Sequence, residues 1–273
     1  MRKLFAAMAV AALALTGCGA PAESKEDKDT FVVGMECAYA PFNWKSNTET
    51  DTSVPLGSSG YADGYDVHVA KAVADKLGMK LKVKQIAWDG LIPALEADEI
   101  DAVIAGMTAD KDREEGVDFT KPYYDSEGMI MIVRKDGEEA GFTDIQQFSG
   151  KTVVGQKGTN YDTVIDQIKG VKHATPKQQY GEMILALQQG DVDGITAEMA
   201  VAEGVLAANP DLTVVHFDEG KGFDCDTTVS VALKEGSRDS EFFKKVQKAL
   251  DSIDQDTRKK WMSHAVEIQP AGE

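Results

Sequence analysis

WDGLIPALEADEIDAVIA (88–105) and YGEMILALQQGDVDGITA (180–197) align without a gap at an offset of 92 residues, sharing the pattern A-L-x-x-x-[DE]-[IV]-D-x-[VI]-x-A. In each copy an apolar helical face is followed by a polar turn and then by an apolar run of strand type. Any helix–turn–strand unit obeys part of this grammar, so a duplicated origin and a shared local pattern both remain open. On either account the chain holds two similar units.

FVVG (31–34) precedes the first copy as a strand. Tyr65 to Leu77 is a helical stretch with Val67, Ala70, Val73 and Leu77 on one face and Gly78 as its C-terminal cap, and Leu81 and Val83 alternate with lysines as in a half-exposed strand. Before the second copy, Met129 to Val133 and Thr152 to Val154 are strand-like and Tyr161 to Ile168 is helical; Val33-Gly34 and Val154-Gly155 form a weaker echo, each ending a strand. This alternation predicts an α/β chain of two lobes, each a mostly parallel sheet flanked by helices, with ligands bound beyond the carboxyl ends of the strands.

After the second unit, Val229 to Leu233 is again strand-like. Phe242, Val246, Leu250 and Ile253 make a helical stripe expected to pack back on the first lobe. The chain then crosses between lobes twice, which predicts lobe 1 at 31–124 plus 230–267, lobe 2 at 129–224, and a two-segment hinge at 125–128 and 225–229 that can close around a ligand.

At the N-terminus, Arg2 and Lys3 precede an apolar run from Leu4 to Leu15 and then LTGC (15–18). Such a run is far shorter than the roughly 20 residues that span a bilayer, so 1–17 is expected to be a secretory signal, with Cys18 as a lipid-attachment site and 18–30 as a flexible tether. An ordinary cleaved signal with an incidental cysteine is the alternative. The formal charge of −17 disfavours nucleic acid as a partner. The four histidines show no metal-ligand spacing, and neither a metal nor a cofactor is expected. Cys37 and Cys225 could pair in an oxidising compartment, and the sequence does not decide whether they do.

If the strand of each repeat ends at a shared cleft, Gly106-Met107-Thr108 and Glu198 face each other across it. A zwitterionic ligand needs a partner for each of its charges there. Arg113 offers a two-pronged donor for a carboxylate, assisted by the Thr108 hydroxyl and the amides around Gly106 and Thr108. Thr159 and Asn160 begin a helix whose free amides add donors. Glu198 and Glu36 are acceptors for ammonium or amide groups, and Tyr39 and Trp88 can enclose an aliphatic or cationic chain. Taken singly, each is more often a turn, surface or core residue.

Together the motifs VGMECAYAPF (33–42), GYDV (64–67), WDGLIPAL (88–95), DAVIAGMT (101–108), Arg113, DFTKPYY (118–124) and VGQKGT (154–159) resemble the family-3 bacterial solute-binding proteins. The resemblance implies the two-lobed type II periplasmic-binding fold. It implies a non-enzymatic, monomeric receptor in the cell envelope that passes a polar or basic amino acid (arginine, lysine, histidine or glutamine) to an ABC importer permease. It assigns Arg113 and Thr108 to the α-carboxylate, Gly106 and Glu198 to the α-ammonium, Tyr39 and Trp88 to the side chain, and Glu36 to its distal donor. Glu36 and Glu198 stand where the family usually has Asp, and Gln156 where it often has Lys. The segment from Asn47 to Tyr61 exceeds the family's usual hairpin and is expected to be a surface loop. The same fold also serves a cyclohexadienyl-dehydratase-like lyase and a sensor for a membrane signalling partner, which are the competing readings.

Overall fold

The computed structural model describes residues 29–126 and 128–270. The leader, Cys18 and most of the tether lie outside the described residues, so those expectations are not addressed by it.

Five consecutive buried residues in β1 (Thr30–Met35) require cover on both faces, and the strand obtains it by running through the middle of a sheet. It pairs in parallel with β2 (Lys80–Gln85) and β3 (Ala102–Val103). β4 (Val117–Phe119) lies at the far edge of the same sheet. Helix α1 (Tyr65–Leu77) ends on Gly78 at φ 70°, with the amides of Gly78 and Met79 closing the last turn. Helix α2 (Leu91–Glu96) carries the first sequence repeat.

The second sheet is built from β5 (Met129–Arg134), β6 (Thr152–Val154), β7 (Lys172–His173), β8 (Gly194–Glu198) and β9 (Leu212–Val215), in the order β7-β6-β8-β5-β9. The short α3 (Asn160–Thr163), then α4 (Tyr180–Gln189) and α5 (Met199–Ala208), are its helices. The first sheet has the same order, β2-β1-β3-β10-β4, once β10 (Ala232–Lys234) returns from the far side. In both sheets parallel pairing joins three strands, and the strand that follows a crossing, β5 or β10, enters antiparallel. Helix α6 (Glu241–Asp251) packs on the first lobe, with Phe242 edge-on to Phe31 at 6.1 Å, and α7 (Gln255–Ile268) lies against both α1 of the first lobe and α5 of the second.

The two crossings pair with each other. Tyr124–Asp125 and Thr228–Val229 form a two-stranded antiparallel ribbon, and Ser126 and Thr227 exchange side-chain hydrogen bonds beside it. The run expected as one strand from Val229 to Leu233 is therefore two, because the amide of Ser230 donates to Met107 O between them.

One further expectation is modified, and one question the sequence left open is answered. The Asn47–Tyr61 insertion is not simply a loop: Val54–Pro55 joins a small antiparallel sheet with Ala38–Tyr39, Asn43–Ser46 and Tyr61–Asp63. Within it the hydroxyls of Thr50 and Thr52 both donate to the Asp63 carboxylate, at 2.6 and 2.8 Å. Cys37 and Cys225 are both free thiols.

Candidate functional site

Chain leaving the carboxyl ends of β1 and β3 places the lobe 1 half of a cavity that both lobes line. Glu36 follows β1 directly, and Cys37 after it adopts φ 56°, turning the chain so that its amide donates to Asn43 Oδ1 at 2.7 Å. Asn43 in turn donates to the buried Asp66. Tyr39 stacks on Phe42 with ring centroids 5.2 Å apart. Gly106 sits at φ 63° with the Tyr39 ring where a β-carbon would stand, 3.0 Å away, so no larger residue fits without a shift. Its amide donates to Tyr123 Oη, so it is not a free donor for a ligand as the sequence suggested.

Arg113 approaches from the other side. Its Nη1 donates to Thr108 O at 2.8 Å and lies 3.1 Å from Asp110; its Nη2 donates to Gly158 O at 3.0 Å. A guanidinium has five N–H groups, and the remaining ones face no protein acceptor among the described residues. The side chain is 11% exposed and lies over the Trp88 ring at 5.2 Å, a cation–π contact that partly offsets its desolvation.

Lobe 2 contributes the turn after β6 and the end of β8. Thr159 caps α3, accepting from the Tyr161 amide at 3.1 Å and donating to Gln156 O. Its hydroxyl is thus committed internally. Gln156 donates to Gln178 O at 3.0 Å and reaches across to both Glu36 oxygens at 3.3–3.4 Å. Glu198 closes β8 and immediately precedes α5.

The electrostatics are those of a site with buried acids in want of a cation. Burial pushes the Glu36 carboxyl up to about 7, against a weaker opposing pull from Gln156. Burial pushes Glu198 up to about 8, against a weaker opposing pull from the neighbouring Ser126 and Tyr161 hydroxyls. One Glu198 oxygen, Oε2, is buried with no hydrogen-bond partner among the described residues, which is costly unless a ligand supplies a donor. Burial holds Arg113 below the usual guanidinium range.

Glu36, Tyr39, Trp88, Gly106, Thr108, Arg113, Gln156, Thr159, Asn160 and Glu198, all singled out from the sequence, line this one cavity. Met107 does not: its side chain is 1% exposed and packs with Leu91, Val103 and Val117 on the far face of the sheet. Met129 and Tyr161 line the cavity and were missed. Met129 is brought there by pairing opposite Glu198 across β5 and β8, a register no local pattern displays. Tyr161 follows Asn160 directly, and its aromatic ring was read only as part of a helix.

The lobes are drawn together over the cavity. Trp88 Nε1 and Arg113 both donate to Gly158 O across the cleft, Lys157 pairs with Asp89 at 2.9 Å, and the hydroxyls of Tyr39 and Tyr161 hydrogen-bond to each other.

The model of the bacterial extracellular solute-binding proteins, family 3, matches residues 31–264. The chain belongs to this family. Within it, the chain is 29% identical to the arginine-binding extracellular protein ArtP of Bacillus subtilis, over 92% of this chain and 93% of that one. It is 31% identical to a probable histidine-binding protein of Campylobacter jejuni, over 71% and 70%. Among solved structures, an amino acid ABC transporter substrate-binding protein of Streptococcus pneumoniae bound to L-arginine superposes with a TM-score of 0.75 at 26% identity, covering 89% of this chain and 95% of that one. A family-3 solute-binding protein has the two-lobed type II fold, and this chain's paired sheets and double crossing are that fold. No helix among the described residues is long and apolar enough to cross a membrane.

Proposed function

We propose that the chain is an extracytoplasmic receptor that captures a polar or basic L-amino acid by hinge closure and delivers it to an ABC importer. The observation that carries this is the pairing of opposites in one cavity: a buried guanidinium with spare donors at Arg113 and a buried carboxylate with an orphaned oxygen at Glu198. A free α-amino acid supplies the complement of both. Arg113 and the Thr108 hydroxyl take the α-carboxylate, and Glu198 with the Gly106 carbonyl takes the α-ammonium. Tyr39 and Trp88 enclose the side chain, and Glu36, steadied by Gln156, receives its distal donor. Relatives named for arginine and histidine, and a neighbour holding L-arginine, support a basic ligand.

On this reading the chain does no chemistry on its ligand, and Cys18, lipidated after removal of 1–17, holds it at the membrane beside the permease. The test is calorimetric titration of unfolded-and-refolded, ligand-free protein with the twenty amino acids. Saturable binding of one or a few basic or amide amino acids is expected; binding of none would overturn the reading.

A further inference from the structure

Tyr161 lines the cavity from lobe 2. Its backbone is locked to the strand that bears Glu198: Tyr161 O accepts from Thr196 Oγ1 at 2.6 Å, and Tyr180 Oη donates to Thr196 O at 2.9 Å. Its ring packs edge-on against Tyr180 at 5.6 Å. The phenol therefore moves with lobe 2. Tyr39 is equally fixed in lobe 1, between Phe42 and the bare α-carbon of Gly106. The Tyr161 hydroxyl bonds to Tyr39 across the cleft, and it lines the same cavity as Glu198 of its own lobe.

We propose that Tyr161 is a latch that couples capture of the ligand's α-ammonium at Glu198 to closure of the two lobes. An ionised carboxylate can only accept, so with an ammonium seated at Glu198 the Tyr161 O–H must donate to it. Tyr161 Oη is then left to accept from the Tyr39 O–H. The result is a one-way chain from Tyr39 through Tyr161 to the carboxylate, charge-assisted at its end and strengthened along its length. Without the ammonium Glu198 can hold a proton, the chain loses its charge and its fixed direction, and the bond between lobes weakens. The inference rests on Glu198 being the ammonium's acceptor.

The experiment is a double-mutant cycle of Tyr39→Phe and Tyr161→Phe, which keep both rings. Each protein is titrated with L-arginine and with 5-guanidinopentanoic acid, the same molecule without the α-ammonium. Each single variant is expected to bind L-arginine about 5- to 20-fold more weakly, with the double variant no weaker than the poorer single. The preference for L-arginine over the deaminated analogue is expected to fall by the same factor. Additive losses in the double variant, or equal losses for the two ligands, would overturn the latch while leaving the binding role standing. If the wild-type protein binds no amino acid, the functional reading itself fails and the latch with it. If Tyr161→Phe does not fold, the comparison of both ligands in Tyr39→Phe decides the question alone.

Discussion

At Glu198 and Glu36 the protein holds two carboxyl groups whose burial favours the protonated form, and binding of a cation must reverse that. Affinity for a basic amino acid should therefore rise with pH from about 6 to 8.5, as binding ceases to require release of protons. Stability of the unliganded protein runs the other way. The folded state holds extra protons on Glu36, Glu198 and Asp66, which titrate at about 7, 8 and 7, above their unfolded values. Their contribution is complete below about pH 4 and is lost as pH rises through 7 to 8. Thermal unfolding of ligand-free protein should show Tm falling across that window and the arginine-induced shift growing; a Tm rising from pH 5.5 to 8.5 would contradict the burial of these acids.

The same residues separate recognition of the backbone from that of the side chain. Arg113→Ala should weaken every amino acid by at least about 100-fold, because it leaves a buried carboxylate unpaired, a loss of about 3 kcal/mol or more. Glu36→Gln should instead shift the preference from arginine toward glutamine by about tenfold. Competition binding in the two variants distinguishes these outcomes.

At the scale of elements, the offset of 92 residues holds atom by atom. Asp101 and Asp193 each accept from the first-strand amide they face, Val32 and Thr152, at 2.8 Å. The amides of Glu99 and Asp191 return to the carbonyls of Ala94 and Ala186. The shared Asp of the pattern is thus a clamp between two parallel strands, and it was legible because it needs one side chain at one spacing. The Val-Gly echo was one residue out of register: Ala102 pairs with Val33 and Gly194 with Val153, so Gly34 corresponds to Val154. Strand register is set by partners distant in sequence and leaves no local mark. Met107 was misplaced for a related reason, since adjacent residues at a strand end face opposite sides of the sheet. The comparison also exposes a strained position. Asp98 takes φ 58° where its counterpart Gly190 takes 79°. Asp98→Gly should stabilise the protein by about 0.5–1 kcal/mol in denaturant unfolding, after loss of its exposed ion pair with Lys234.

For the whole molecule, the two crossings and the identical sheet orders make a pair of lobes that share one cavity and a two-stranded ribbon. Contacts across the cleft differ in weight. Lys157 and Asp89 are about half exposed, so Lys157→Ala should change affinity by no more than about threefold, whereas Gly158 O accepts from both Trp88 and Arg113 of the other lobe. The double crossing was legible from the order of elements; which residues meet across the cleft was not, because that depends on how two folded bodies fit.

Arg113 and Glu198 together define a zwitterion site in the proposed receptor. Isothermal titration of ligand-free protein with L-arginine, beside Arg113→Ala and Glu198→Gln, tests it most directly. Saturable binding at one site is expected in the wild type, and its loss in both variants. Binding of unchanged affinity in either variant would contradict it.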